Sequence, residues 1–146
     1  MADTLALTKI LRLRKNEKQT AQKAYDQSTL SFEDIATQLY QLLRKKEQAE
    51  DSYEQYLHKP VQLETIKEQL AYIERLSEHI HSLQQEVQQA REDMEAKQDQ
   101  LLNAHIEVKK YETIIDRRHT ATRQQLEKRE HKTMDETSVQ QYLKNR

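Results

Sequence analysis

Residues 66–115 read IKEQLAYIERLSEHIHSLQQEVQQAREDMEAKQDQLLNAHIEVKKYETII, and their spacing decides the fold. Ile66, Ile73, Ile80, Val87, Met94, Leu101, Val108 and Ile115 stand seven apart without a break. A companion series, Leu76, Leu83, Ala90, Lys97, Ala104 and Tyr111, completes an alternation of three and four. That alternation draws one narrow apolar stripe along a helix, and a stripe sustained over this many heptads is the seam of a coiled coil. Lys97 is its weak point.

Upstream, the sequence breaks once. Pro60 cannot continue a helix interior and pushes Lys59 out of the α region. The turn is therefore expected at 58–60, with a first helix over about 4–57 and a second over about 61–130. Pro60 and Glu64 are expected in the first turn of the second helix. A polar tail is expected over about 131–146, and the whole segment beyond Ile115, where the second helix loses its partner, is expected to fray. In the first helix Leu7, Ile10, Ala21, Ala24, Ser28, Phe32, Ile35, Leu39, Leu42, Ala49, Tyr53 and Tyr56 follow the same alternation. Arg14 and Glu17 interrupt it, and the step from Ala24 through Ser28 to Phe32 adds a residue, which predicts a drift of the seam there.

Two stripes separated by one turn predict an all-α fold: a two-helix antiparallel coiled-coil hairpin in a single domain, with an extended polar C-terminal helix. Residues about equally distant from Lys59 should face each other. That pairs Leu42 with Leu76, Leu39 with Ile80, Ile35 with Leu83, Ile10 with Val108 and Leu7 with Tyr111. The stripe of the second helix ends at Ile115, just where the first helix begins. At about 1.5 Å per residue the paired region would be roughly 80 Å long.

Composition agrees with a thin seam. Of 146 residues, 35% are hydrophobic and 34% charged, too little apolar material for a thick core. There is no Gly, so glycine-rich phosphate loops and tight β-hairpins are excluded. There is no Cys, which fits a reducing compartment. Lys9, Arg12 and Arg14 interrupt the N-terminal apolar residues too early for a secretory signal, and no apolar run reaches a membrane span. Direct membrane insertion is not expected.

No catalytic or metal constellation emerges. His58, His79, His81, His105, His119 and His131 lack the spacing of a helical zinc site, and His79 and His81 point to different faces. Long helices gather no pocket around Ser, His and Asp, so neither an enzyme nor a cofactor is expected. Charge is uneven, although the formal net charge is only -1. Lys9, Arg12, Arg14, Lys15 and Lys18 lie near the start, and Arg117, Arg118, Arg123, Lys128, Arg129 and Lys132 near the end. In a hairpin both groups fall at the end away from the turn, whereas Glu86 to Asp99 is acidic. The basic end reads either as solvated surface or as an electrostatic docking end for an acidic protein. Few aromatic residues interleave those cations, so nucleic acid is not an expected partner. Tyr40, Tyr53, Tyr56 and Tyr72 cluster toward the turn. Tyr53 and Tyr56 read as seam; Tyr40 and Tyr72 fall off it and are candidate interface anchors.

The layout resembles the flagellar FliJ family. Length, hairpin and the break near residue 60 match the family pattern. Glu68 to Leu76 resembles the family's aromatic–aliphatic segment after the turn, with Leu70-Ala71 where members often have paired Gln. Ile106 to Glu112 resembles a further family segment, and Glu130, Lys132, Met134, Asp135 and Glu136 resemble the acidic stretch near the C-terminus. The resemblance implies a soluble component of flagellar type III protein export, similar to the central shaft of rotary ATPases. It implies a general chaperone or escort that couples the hexameric export ATPase to the cytoplasmic domain of the export-gate membrane protein, with export chaperones as further partners. It implies a cytoplasmic location at the membrane face of the flagellar base. By position, Tyr72, Leu76, His79 and Leu83 match the part that meets the gate. Lys9, Arg12, Arg14, Arg117 and Arg118 belong to the end that would enter the ATPase ring. A plain coiled-coil scaffold or spacer is the competing reading of the same residues.

Overall fold

The computed structural model describes residues 2–145, and for residue 2 the backbone alone. Two helices account for nearly all of them: α1, Ala2–Leu57, and α2, Leu63–Lys144. No strand occurs among the described residues. The fold is all-α, with α1 and α2 packed against each other, as the paired stripes require.

The connection is built without glycine. No described residue has a positive φ. The His58 amide donates to the Gln55 carbonyl at 3.1 Å and closes α1. The Val61 amide donates to Lys59 O at 2.9 Å, a three-residue turn centred on Pro60. The ring of Pro60 presets the φ such a turn uses, and its missing N–H is not needed there. The Thr65 amide then donates to Gln62 O at 3.1 Å. The second helix thus opens at Leu63 rather than at Val61. Pro60 lies in the connection, not in the helix's first turn; Glu64 does occupy that turn, where its charge opposes the helix dipole.

Packing divides the chain into two units, one of residues 20–101 and one of residues up to 19 together with those from 102 onward. The turn unit, 20–101, holds the tightest seam. Ala49, Leu76, Ile80 and Leu83 are buried, and Ile35, Leu39, Leu42, Ile73 and Val87 are half-buried around them. Gln69 Nε2 donates to the Ala49 carbonyl at 2.9 Å across the helices. These two residues are equidistant from Lys59, so the pairing register is the one expected. Ser28 is buried at a seam position, its hydroxyl satisfied by the Tyr25 carbonyl at 2.7 Å.

The seam of α1 does not drift. Ala21, Tyr25, Ser28, Phe32, Ile35, Leu39, Leu42, Lys46, Ala49, Tyr53 and Tyr56 are all buried or half-buried, in unbroken steps of three and four. The apparent extra residue came from taking Ala24 as the seam member. Tyr25 is also shielded and continues the rhythm through Ser28 and Phe32. Lys46 fills its slot with its aliphatic stem while its ammonium sits 3.8 Å from Glu50.

In the terminal unit Val108 is buried, at 3% exposure, and Leu7, Ile10, Ala104, Tyr111 and Ile115 are half-buried. From Asp116 to Asn145 every residue is exposed, yet the helix runs on to Lys144. This stretch has neither Gly nor Pro. Thr122, Thr133 and Thr137 return their hydroxyls to the carbonyls of Arg118, Arg129 and Thr133 at 2.8–2.9 Å. The helix thus passes the boundary near residue 130 that composition marked.

Candidate protein-binding surfaces

In the turn unit the candidate gate residues separate by burial. Tyr72, at 38%, and His79 are exposed; Leu76, at 7%, and Leu83, at 4%, lie in the seam. The seam geometry explains the split. Leu76 and Leu83 belong to the companion series that meets α1, whereas Tyr72 and His79 stand one residue ahead of Ile73 and Ile80, on the flank of the pair. Tyr72 borders a shallow hollow of about 200 Å³ shared by both helices, with Lys45, Gln48 and Ser52 from α1 and Gln69 from α2. The hollow combines an aromatic wall, amide and hydroxyl groups and one cation. It suits an inserted side chain of another protein better than a small ligand. Gln69 extends the companion series back by one heptad, the signal by which the sequence pattern marks it.

In the terminal unit Lys9, Arg12, Arg117 and Arg118 are exposed. Arg118 Nη1 lies 3.7 Å from Asp3 Oδ2, an exposed pair that contributes little to stability. Arg14 differs. It occupies a seam position, seven residues after Leu7 and seven before Ala21, and is half-buried. Its Nη1 donates to Glu17 Oε2 at 3.0 Å, and its guanidinium stands 5.8 Å from the centre of the Tyr111 ring. Lys110 Nζ lies at the same distance from that ring. The Nε of Arg14 is buried without a hydrogen-bond partner. Glu17 foremost, then Tyr111, hold the Arg14 pKa above its ordinary value. Pairing by distance from Lys59 set Leu7 against Tyr111; the structure adds the long side chain of Arg14 to that ring. Arg14 and Glu17 look like interruptions in the sequence and act in the structure as a seam cation with its own counter-ion.

Among the described residues no group of three or more His, Cys, Asp or Glu is placed to hold a metal ion. No helix among them is long and apolar enough to cross a membrane. What the side chains offer is an exposed aromatic flank in one unit and exposed cations in the other, the chemistry of protein contacts.

Comparison with known proteins supplies the lineage. The chain matches the Flagellar FliJ protein family over residues 3–146. It is 30% identical over 143 residues to the Flagellar FliJ protein of Bacillus subtilis (strain 168), covering 98% of this chain and 97% of that one. No solved structure matches it. The match runs through α1, the Pro60 connection and α2 alike, and the chain belongs to the flagellar FliJ family.

Proposed function

We propose that this flagellar export component couples the hexameric export ATPase to the export gate, as a coiled-coil element that also escorts export chaperones or their cargo. Tyr72 and His79 take the cytoplasmic domain of the gate protein. Leu76 and Leu83 hold the helix that carries them. Lys9, Arg12, Arg117 and Arg118 take the ATPase, and Arg14 supports them from the seam. The protein acts without chemistry of its own, at the cytoplasmic face of the membrane.

The observation that carries this reading is the exposed Tyr72 ring beside a hollow lined by both helices. A ring in that setting is an interface anchor: it brings apolar area, a hydroxyl and little conformational entropy to lose. The test is a pair of pull-downs. Tyr72→Ala should weaken capture of the gate's cytoplasmic domain and leave capture of the ATPase intact, with unchanged helical circular dichroism. Equal loss of both partners, or of neither, would refute the assignment.

A further inference from the structure

Tyr72 and the hollow lie on one flank of the turn unit. Lys45 and Ser52, which meet Tyr72 there, each stand one residue ahead of a seam position, as Tyr72 does. In an antiparallel pair, residues that precede seam positions share one flank, and those that follow seam positions share the other. That other flank carries leucines. Leu43 follows Leu42, Leu57 follows Tyr56 and Leu70 follows Gln69; Leu63 stands seven residues before Leu70. Their exposures are 43%, 54%, 41% and 65%. Leu57 is the last residue of α1 and Leu63 the first of α2, on either side of the connection. Tyr40, 60% exposed, stands three residues before Leu43 and extends the stripe.

The seam does not need these leucines. They sit outside it, at positions where a two-helix coiled coil places charged or polar residues. A stripe of exposed leucines along both helices is costly in water unless something covers it. Its borders say what. Glu47, Glu50 and Glu54 of α1 and Glu74 of α2 flank the stripe, all exposed. The cations near it are Lys67, Lys59 in the connection between Leu57 and Leu63 and, at the far end, Arg44, whose guanidinium lies 6.0 Å from the Tyr40 ring. Glu50 is already engaged by Lys46. A second copy docking through the same flank would bring carboxylates against carboxylates, and an anionic lipid surface would be repelled too. A helix with an apolar face bordered by lysine or arginine is complementary in both respects.

We propose that the Leu43–Leu57–Leu63–Leu70 flank is a docking groove for a cationic amphipathic helix of a partner protein, separate from the Tyr72 flank. The groove belongs to the turn unit alone and does not depend on which partner Tyr72 meets.

The full-length chain is titrated with a synthetic amphipathic helix that has a leucine face bordered by lysines, and with the same peptide bordered by glutamates. Binding of the lysine peptide and not of the glutamate peptide is expected. The deciding variant is Leu63→Glu with Leu70→Glu. It adds negative charge, so purely electrostatic attraction would strengthen, whereas loss of the apolar groove should weaken binding at least about tenfold. Both side chains are exposed, so the fold is expected to survive, and circular dichroism checks it. Leu63→Ser with Leu70→Ser gives the same comparison without added charge, and Tyr72→Ala should bind the peptide as the parent does. Stronger or unchanged binding by the leucine variants would overturn the proposal. So would equal binding of the two peptides. Sedimentation of the chain alone covers the remaining occupant: a dimer that dissociates in the leucine variants would assign the flank to self-association instead.

Discussion

Leu76 and Tyr72 are four residues apart and answer to different physics. Leu76 is closed into the seam between the helices, so Leu76→Asp must bury a carboxylate with no partner there. That should cost on the order of 3 kcal/mol or more and lower the thermal midpoint steeply. Leu76→Ala, which leaves a cavity, should cost about 2–5 kcal/mol. Tyr72→Ala should leave the melting curve almost where it was, because the ring is exposed. Thermal denaturation of the three variants checks the register: an unchanged curve for Leu76→Asp would mean that residue 76 is not in the seam. A loss of gate binding on changing Leu76 is therefore no evidence of contact, whereas the same loss on changing Tyr72 is. Arg14 gives a second test at this scale. Its Nε is buried and unpaired in a seam slot, and a leucine leaves no polar atom there. Arg14→Leu should raise the midpoint. Arg14→Glu, set beside Glu17 and without the Tyr111 contact, should lower it.

The two helices were legible in the sequence to different degrees, and the difference is chemical. In α2 the seam is written in Ile, Val, Leu and Met, and every position of the two series is buried or half-buried in the structure, Lys97 included. In α1 several seam slots hold Arg14, Lys18, Tyr25 and Lys46, which an apolar pattern passes over. Each has a stem or ring that shields the neighbouring helix while its polar end reaches solvent or a counter-ion. Counting those residues as seam would have removed the apparent drift. The binding surfaces were less legible. Heptad spacing places Tyr72 off the seam, but no spacing tells an exposed anchor from an idle one. The leucine flank became visible only once the seam was fixed. The end of α2 is a different case: its residues favour helix, yet from Asp116 to Asn145 all are exposed, and a helix without a buried face is marginal in water. Amide exchange should therefore be fast from Asp116 onward and slowest around Leu76 to Leu83. Removing residues 120–146 should reduce the helical signal and leave the midpoint of the remaining transition unchanged; a lowered midpoint would mean that this stretch packs on the rest.

At the scale of the whole molecule, a formal net charge of -1 conceals a chemical difference between the units. The candidate ATPase residues Lys9, Arg12, Arg117 and Arg118 belong to the terminal unit, and Tyr72 and His79 belong to the turn unit. The first group offers exposed charge, and contacts made by charge weaken as the screening length falls from about 10 Å at 0.1 M salt to about 3 Å at 1 M. The second offers an aromatic ring beside a hollow, and burial of apolar area is little affected by simple salt. The two contacts should therefore separate by salt as well as by mutation. Reversing the charge of Arg12, Arg117 and Arg118 should weaken ATPase capture and flatten its salt dependence, while gate capture stays as it was. Tyr72→Ala should weaken gate capture at every salt concentration and leave the ATPase curve unchanged. Combining the changes should give the sum of the two defects, because each acts on a different partner and independent sites add. Binding curves for each variant against each purified partner, measured from low to high salt, decide the matter. If the Tyr72 variant lost the ATPase and kept the gate, the two surfaces would have to exchange their partners.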